Sequence, residues 1–267
     1  MNYLIRLKFV FYSLYSYLFK TAEIKITDKI KFSIETKNMH EVHRAKTFFT
    51  KEPEMLDWIR HFEELNGDDK FIFYDIGANI GIYSLFAATI HQNSIVYSFE
   101  PEATNFSSLC CNISNNNLKN IIPVQIALSN TVEFDLLHVG IVKSGAGAAA
   151  VGKEYAGIVH SQSFLQGVYC NTLNNLYNDR FFKKPNFIKI DVDGHESKIL
   201  QAADKIFSDP ILKGVIIEYE YSSDNEMEIF ISNICSHGFK LVLKSKWVDY
   251  NEEKKSSVRN FLFERGK

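Results

Sequence analysis

The chain has 267 residues, of which 46% are hydrophobic, so it is long enough to bury the core of one large domain. Its 30 basic and 32 acidic residues give a formal net charge of −2, and we therefore expect no nucleic-acid partner. The four cysteines include no C-x-x-C pair, which argues against a zinc site or a disulfide framework and favours a reducing, cytoplasmic compartment.

The first 20 residues are rich in aromatic side chains. The uncharged run from Phe9 to Phe19 has 11 residues, which is too short for a helix to span a bilayer, and no convincing signal-peptide cleavage site accompanies it. Two interpretations stay open. The segment is either a helix that packs its aromatic face on the domain or on another subunit of a homo-oligomer, or an interfacial helix that gives residues 1–20 a peripheral contact with the membrane.

The next segment predicts a short extension before the main domain. Residues 24–34 alternate between apolar and polar side chains, which is typical of a small hairpin with one solvated face. From residue 41 to residue 65 the pattern is helical. That helix is expected to bury Met55, Leu56, Ile59 and Phe62 on one face. We therefore divide the chain into an extension of a helix and a hairpin, residues 1–44, and a main domain, residues 45–267.

The main domain begins with a strand, a glycine turn and a helix. Residues 71–74 (FIFY) are uniformly apolar, which predicts a strand buried on both faces of a parallel sheet. Asp75, Gly77 and Gly81 follow, and apolar side chains then recur at helical spacing from Ile82. Glycine is needed where a chain bends sharply or lies against a ligand, and the free amides of a helix N-terminus attract negative charge.

A second strand, residues 94–99, ends in Glu100 and Pro101. Glu100 lies 19 residues after Gly81. A carboxylate at this spacing holds the ribose diol in nucleoside-binding α/β folds. The alternative is that Asp75 and Glu100 are merely polar residues at strand ends.

The middle of the chain carries weaker signals. Residues 104–117 predict a helix, residues 121–126 a strand whose Pro123 favours a sheet edge, and residues 132–138 an added strand. Residues 140–167 are rich in Gly, Ala and Ser and show no phosphate-loop motif, so we predict a mobile loop there. Such a loop could cover the site or select the acceptor.

The strongest chemical signal is a run of polar residues after the predicted strand at residues 185–190. Asp191, Asp193, His195 and Glu196 come directly after it. In an open parallel sheet, Asp75 and Asp191 then approach one pocket from neighbouring strands. Such a group can act as a general base or bind a hard cation. Asp191 and His195 are the candidates for the base; Asp193 and Glu196 are expected to support the site or cap a helix. We assign no metal ligands and leave a divalent cation open.

The remaining elements complete a sheet. Residues 197–207 predict an amphipathic helix, and residues 214–217 a strand that delivers Glu218 to the acceptor pocket. Residues 226–237 predict a helix with Gly238 as its C-cap. Residues 239–243 and 258–263 predict two strands joined without a helix, which would form an antiparallel pair.

Two motifs carry a resemblance to a known family. Asp75-Ile76-Gly77-Ala78-Asn79-Ile80-Gly81, followed by Ser98-Phe99-Glu100-Pro101, resembles the start of the FkbM-type S-adenosylmethionine-dependent methyltransferases, and Ile188-Lys189-Ile190-Asp191-Val192-Asp193-Gly194-His195-Glu196 resembles their second signature. The resemblance covers about residues 45–264, and two motifs in order are more specific than one. It implies an α/β fold with a Rossmann-like seven-stranded sheet, mostly parallel with an antiparallel C-terminal strand and helices on both faces.

The same resemblance implies a function and a set of site residues. It implies S-adenosylmethionine as the cofactor and O-methylation of a hydroxyl on a sugar, a glycolipid or a secondary metabolite. The implied cofactor-binding residues are Asp75, Gly77, Ala78, Asn79, Gly81, Glu100, Pro101, Ala127 and Asp191, and the catalytic candidates are Asp191, His195 and Glu218. Near Ala127, where related folds place a carboxylate for the adenine amino group, this chain offers Gln125 or Ser129. Asn174 replaces an aspartate that the family usually has.

Two other functions stay open at this stage. A nicotinamide-dependent oxidoreductase has a similar sheet, but the third glycine of G-x-G-x-x-G and a placeable tyrosine–lysine pair are missing. A non-catalytic relative that binds a nucleoside or a partner protein is the other alternative, and the retained acidic residues Asp75, Glu100 and Asp191 argue against it.

Overall fold

The fold is built on a central, mostly parallel sheet. A computed structural model describes residues 3–147, 149–151, 164–245, 249–251 and 256–266. The strands are β1 (Thr21–Lys25), β2 (Lys31–Glu35), β3 (Ile72–Ile76), β4 (Ile95–Phe99), β5 (Ile121–Val124), β6 (Ala127–Leu128), β7 (Glu133–Val139), β8 (Ala149–Val151), β9 (Phe164–Asn171), β10 (Phe187–Ile190), β11 (Gly214–Tyr221), β12 (Phe239–Lys244), β13 (Asp249–Asn251) and β14 (Ser256–Arg265). The helices are α1 (Tyr3–Leu18), α2 (Met39–Thr47), α3 (Pro53–Arg60), α4 (Phe62–Asn66), α5 (Ile82–Ile90), α6 (Ala103–Asn115), α7 (Leu173–Asn178), α8 (Glu196–Leu200), α9 (Asp204–Ser208) and α10 (Asp224–Ser236).

The order of the central sheet confirms the predicted fold class. Its strands lie in the order β12-β14-β11-β10-β3-β4-β5, and the short β13 also pairs with β14. β14 runs antiparallel to β11 and β12, whereas β11, β10, β3, β4 and β5 are parallel to one another. β5 lies at the edge, as Pro123 predicts. The last two long strands form the expected antiparallel pair.

Helices cover both faces of this sheet because its strands are apolar on both sides. Phe73 belongs to a core with Trp58 and Phe62 from α3 and α4. Its neighbour Tyr74 points to the opposite face and joins a second core with Phe207 and Phe230. Successive side chains of one strand therefore stabilise two separate layers.

A second sheet contradicts the predicted mobile loop at residues 140–167. Its strands lie in the order β6-β9-β7-β8, and β8 and the start of β9 fall inside that segment. Ser144 and Ala146 are buried. Small residues form ordered structure here because neighbouring elements supply hydrogen-bond partners for their backbone. Residues 152–163 of the predicted loop lie outside the described residues.

Two predicted helices are interrupted. The segment from residue 41 to residue 65 forms α2, α3 and α4, because Pro53 starts a new helix at its first position. The buried side chains expected there are confirmed. The segment from residue 197 to residue 207 forms α8 and α9. The break occurs where the Ala202 carbonyl accepts a hydrogen bond from the backbone of Asn174, whose side-chain oxygen accepts from Lys205 N at 2.9 Å. The neutral amide at position 174 therefore serves as a cap.

The N-terminal hairpin is confirmed and is tied to the main domain. β1 and β2 are antiparallel, and the side chains of Asn116 and Asn112 accept from Ser33 N at 2.7 Å and Glu35 N at 2.8 Å. α2 spans the predicted boundary at residue 44, and the division of the chain there stays a prediction. Within the described residues, no helix has both the length and the apolar character needed to cross a membrane.

Candidate active site

A cavity of about 430 Å³ lies at the carboxyl ends of the central strands. Ligands of open α/β sheets bind at this edge. Most of the predicted site residues line the cavity: Gly77, Ala78, Asn79, Glu100, Pro101, Ala127, Asp191, His195 and Glu218. Asp75 and Gly81 lie beneath it, Asp75 fully buried and Gly81 as the N-cap of α5.

The glycine turn forms one end of the cavity. Gly77, Asn79 and Gly81 all have positive φ angles, of 75°, 53° and 84°. The amides of Gly77 and Ala78 each donate to the Phe99 carbonyl at 3.0 Å, which joins the turn to the end of β4. A Cβ atom on Gly77 would lie 1.7 Å from the carbonyl oxygen of Asp191. The turn therefore needs glycine both for its backbone angle and for its approach to β10.

Glu100 stands at the end of β4, as predicted. Its two carboxylate oxygens accept hydrogen bonds from the backbone amides of Asn79 at 2.8 Å and Glu102 at 2.9 Å. Burial raises the pKa of Glu100 to about 7, against the opposing effect of these hydrogen bonds. Each oxygen has a second lone pair, so the carboxylate can accept from a further hydroxyl in the cavity.

A buried ion network joins the turn to β10. The Lys189 ammonium lies 3.3 Å from Asp75 Oδ1 and 3.1 Å from Asp191 Oδ2. It also donates to the Gly77 carbonyl at 3.2 Å. On its other oxygen, Asp75 accepts from Ser84 at 2.6 Å. Asp75 and Asp191 thus come together from neighbouring strands, joined by a cation that the motifs did not single out, but only Asp191 lines the cavity and Asp75 lies beneath it.

Lys189 is the main site residue that sequence reasoning missed. Its side chain is 1% exposed, although lysine is almost never fully buried without a partner. Burial favours the neutral amine, but the charges of Asp191 and Asp75 outweigh it and raise the pKa of Lys189. The sequence did contain a signal for this role, a lysine inside an otherwise apolar strand. A buried lysine requires anions nearby, so the pattern indicates a buried ion pair.

Another part of the cavity wall, which we call the acidic end, is formed by carboxylates. Carboxylate oxygens of Asp191, Asp193 and Glu218 lie within 4.8 Å of one another. The charge of Asp191, and then burial, raise the pKa of Glu218 well above its usual value. Burial favours the neutral form of Asp191 as well, but the ammonium groups of Lys189 and Lys51 hold its pKa below the usual value. Oxygen ligands of this kind suit a hard cation, but carboxylate clusters are also common where no ion binds, so the geometry assigns no metal.

Basic and phenolic groups form a further part of the cavity wall. Arg44, Lys51 and Tyr83 line the cavity. The Tyr83 hydroxyl donates a hydrogen bond to the Glu52 carboxylate, and Lys51 pairs with the same carboxylate at 2.8 Å. These positive charges come from α2, which carries Arg44, and from the segment between α2 and α3, which carries Lys51. The sequence pattern predicted both only as helix.

His195 and Glu196 have different surroundings. His195 lines the cavity and its Nε2 lies 3.0 Å from the hydroxyl of Ser129. Glu196 is buried and accepts from the backbone amides of Val192 at 2.9 Å and Gly194 at 3.2 Å. Glu196 therefore supports the turn after β10, in agreement with the role expected for it. Of the two residues considered near Ala127, Ser129 is buried and Gln125 is exposed.

The segment Ser144–Gly147 lies against the glycine turn. Asn79 Nδ2 donates to the Ala146 carbonyl at 3.0 Å. The amide of Gly145 donates to Asn105 Oδ1 at 2.8 Å, and its carbonyl accepts from Arg44 Nε at 2.7 Å. Ala146 and Asn105 both line the cavity. This segment therefore forms part of the wall above the turn.

Comparisons with known proteins give a family and a similar fold. The family model described as methyltransferase FkbM domain matches residues 75–241. The S-adenosylmethionine-dependent methyltransferase from Agrobacterium tumefaciens has a similar fold, with a TM-score of 0.51 and 11% identity over 93% of this chain and 71% of that chain. No curated protein matches the chain.

Two other solved structures are similar at lower TM-scores. Precorrin-6y C5,15-methyltransferase from Geobacter metallireducens gives 0.44, with 14% identity over 83% of this chain and 92% of that chain. The M. jannaschii protein TYW2, solved in complex with AdoMet, gives 0.40, with 16% identity over 92% of this chain and 87% of that chain.

Proposed function

The chain belongs to the FkbM methyltransferase family, and from that premise we propose that it transfers a methyl group from S-adenosylmethionine to a hydroxyl of a sugar, a glycolipid or a secondary metabolite. One observation carries the proposal. A single cavity holds a carboxylate suited to a ribose at one end, Glu100, and a carboxylate of raised pKa at the other, Glu218.

The residues present fit the cofactor. The cavity volume of about 430 Å³ lies within the range of about 300–1,000 Å³ for small-molecule sites. Glu100 would hold the ribose hydroxyls, and Ala127, which lines the cavity, would contact the adenine. Asp191 would face the positively charged methionine part of the cofactor. The bound cofactor supplies an electrophilic methyl group on a sulfonium.

The sequence named Asp191 and His195 for the general base, but the electrostatics favour the third catalytic candidate, Glu218, over Asp191. A hydroxyl is a poor nucleophile and must lose its proton as the methyl group is transferred. A carboxylate with a raised pKa is the stronger proton acceptor, whereas the Lys189 ammonium makes Asp191 a weaker one. In this proposal Glu218 takes the proton and Asp191 fixes the position of the reacting groups. His195, which lines the same cavity and is held at Ser129, would orient the acceptor.

The proposal extends to surroundings and partners. We propose a cytoplasmic enzyme, since all four cysteines are free thiols. The acceptor is a small molecule or a glycan rather than a nucleic acid. The formal net charge of −2 supports this choice.

Calorimetry with purified protein tests the cofactor. We expect S-adenosylmethionine and S-adenosylhomocysteine to bind with micromolar affinity, and a nicotinamide dinucleotide not to bind. Glu100→Gln should weaken binding about 10-fold or more, because one oxygen of the ribose contact becomes an amide donor. Glu102→Gln is the matched control: Glu102 is equally buried but caps α6 through the amides of Thr104 and Asn105. Preference for the dinucleotide would exclude the proposal.

Release of S-adenosylhomocysteine tests the acceptor class. The protein is incubated with S-adenosylmethionine and, separately, with sugars, nucleotide sugars, glycolipids, phenolic metabolites and tRNA. We expect turnover with a hydroxyl compound and none with tRNA. Turnover with tRNA alone would contradict the proposed acceptor and leave the methyl donor unaffected.

A further inference from the structure

The outward face of α1 is apolar, which is the reverse of a normal surface helix. The inward face is formed by Tyr12 and Ser16, which are buried against the domain. The opposite side carries large apolar side chains, all at least 47% exposed: Leu7, Val10, Phe11, Leu14, Tyr17 and Leu18. We call these six residues the α1 stripe. At 3.6 residues per turn they occupy one continuous arc of about 120°.

Such a stripe is not explained by the domain to which α1 belongs. α1 packs on α2 through the other side, where Tyr12 contacts the ring of His43 at 5.9 Å. Isolated exposed apolar residues are normal on soluble domains, whereas a continuous apolar surface marks an interaction site. The stripe therefore faces a partner.

The charge around the stripe identifies the kind of partner. Residues 1–51 contain 10 lysine and arginine residues and 4 acidic residues, a net charge of +6, whereas the rest of the chain contains 20 and 28, a net charge of −8. α1 itself has no acidic residue. Two lysines contact aromatic rings of α1. The ammonium group of Lys8, in α1 itself, lies 5.6 Å from the Tyr12 ring, and that of Lys46, in α2, lies 4.5 Å from the Tyr15 ring.

We propose that α1 binds the surface of an anionic lipid bilayer, with the stripe in the acyl boundary and the flanking lysines at the headgroups. An apolar face between basic side chains is the pattern of an interfacial helix, and lysines near an anionic leaflet add electrostatic attraction. A second copy of the chain fits less well, because α1 has basic residues and no acidic one, so two such faces would repel each other. This inference is independent of the methyltransferase reaction.

The position of α1 gives the interaction a consequence for the site. α1 packs on α2, and Arg44 of α2 lines the cavity. A membrane that holds α1 therefore lies one helix away from the cavity. An acceptor carried by a lipid would be presented at that side.

Vesicle sedimentation with the full chain tests the proposal. We expect the protein to sediment with vesicles of phosphatidylcholine and phosphatidylglycerol in equal parts and to stay in solution with phosphatidylcholine alone. The double variant Val10→Gln/Leu14→Gln should lower the partition coefficient about 10-fold or more, since it removes apolar surface at unchanged charge. The variant Lys8→Gln/Lys46→Gln should also lower it about 10-fold, through the charge alone.

The matched control is Ile229→Gln/Val242→Gln, which changes two apolar side chains that are 54% and 55% exposed on α10 and β12. It should sediment like the unchanged protein. Unchanged thermal unfolding would show that each variant is folded. The proposal is overturned if the protein does not sediment with anionic vesicles, or if Val10→Gln/Leu14→Gln binds them as well as the unchanged protein. It is also overturned if light scattering shows a dimer that Val10→Gln/Leu14→Gln converts to a monomer.

Discussion

The two ends of the cavity are held in place by different forces. At the glycine turn, backbone amides fix the geometry: those of Gly77 and Ala78 bind the Phe99 carbonyl, and that of Asn79 binds the Glu100 carboxylate. At the acidic end, charges on different strands hold one another, with Lys189 between Asp75 and Asp191. The geometry of the turn depends on the absence of a side chain, whereas that of the acidic end depends on the balance of buried charge.

This difference separates two tasks of the site. The bonds between backbone groups that fix the turn do not depend on pH, which suits the binding of a cofactor, and only the contact of Asn79 with Glu100, whose pKa is about 7, depends on a proton. A cluster of coupled charges changes when one proton or one positive ligand is added. Such a cluster suits proton transfer. The two ends should therefore respond to different substitutions.

The largest effect is expected from adding one methyl group at the turn. In Gly77→Ala the new Cβ would lie 1.7 Å from the Asp191 carbonyl oxygen at a φ angle of 75°, so strand ends must move apart. We expect a loss of more than about 4 kcal/mol in the free energy of unfolding. Urea denaturation measures this loss.

Gly67→Ala is the matched control, because Gly67 has the same φ angle of 75° and no other atom lies within 4 Å of the place that its Cβ would take. Its free energy of unfolding should fall by only about 1–2 kcal/mol, which is the cost of placing an alanine in the left-handed backbone region. Equal losses in the two variants would show that the turn does not press against β10, and the comparison between the two ends would fail.

The next largest effect concerns the buried cation. Lys189→Met removes the positive charge between Asp75 and Asp191 while keeping an unbranched side chain. Two buried carboxylates are then left without their partner, and we expect a loss of about 3–5 kcal/mol in the free energy of unfolding at neutral pH. Urea denaturation again provides the measurement.

Lys184→Met provides the comparison for this variant. Lys184 pairs with Asp209 at 2.9 Å, but its side chain is 45% exposed, so its loss should lower the free energy of unfolding far less than the loss of Lys189. The variant Lys189→Met/Asp75→Asn should recover part of the stability, since it removes one of the unpaired charges. If the double variant recovers no stability, or if the Lys184 and Lys189 variants lose similar amounts of stability, buried charge does not stabilise the acidic end.

The same contrast explains what the sequence could predict. The turn and the position of Glu100 follow from local spacing, because glycine positions, apolar runs and strand ends are set by neighbours along the chain. The mostly parallel sheet was instead implied by the family resemblance. The role of Lys189 depends on pairing between β10 and β3, whose residues lie more than 100 positions apart. The wall formed by Ser144–Gly147 depends on partners such as Arg44 and Asn105, so composition alone suggested a loop.

The smallest effect is a shift in the titration of one carboxyl group. The largest cause of the raised pKa of Glu218 is the charge of Asp191, whereas burial is the largest cause for Glu100. In Asp191→Asn the pKa of Glu218 should therefore fall, while that of Glu100 should stay near 7. A falling pKa means that Glu218 stays ionised to lower pH, so proton acceptance by this group would begin to fail at a more acidic pH than in the original protein. Carbon-13 NMR of protein labelled at glutamate carboxyls measures both groups, with Glu218→Gln and Glu100→Gln assigning the signals. An unchanged Glu218 would mean that burial alone sets its pKa, and parallel shifts of both groups would mean that the two ends of the cavity are electrostatically one site.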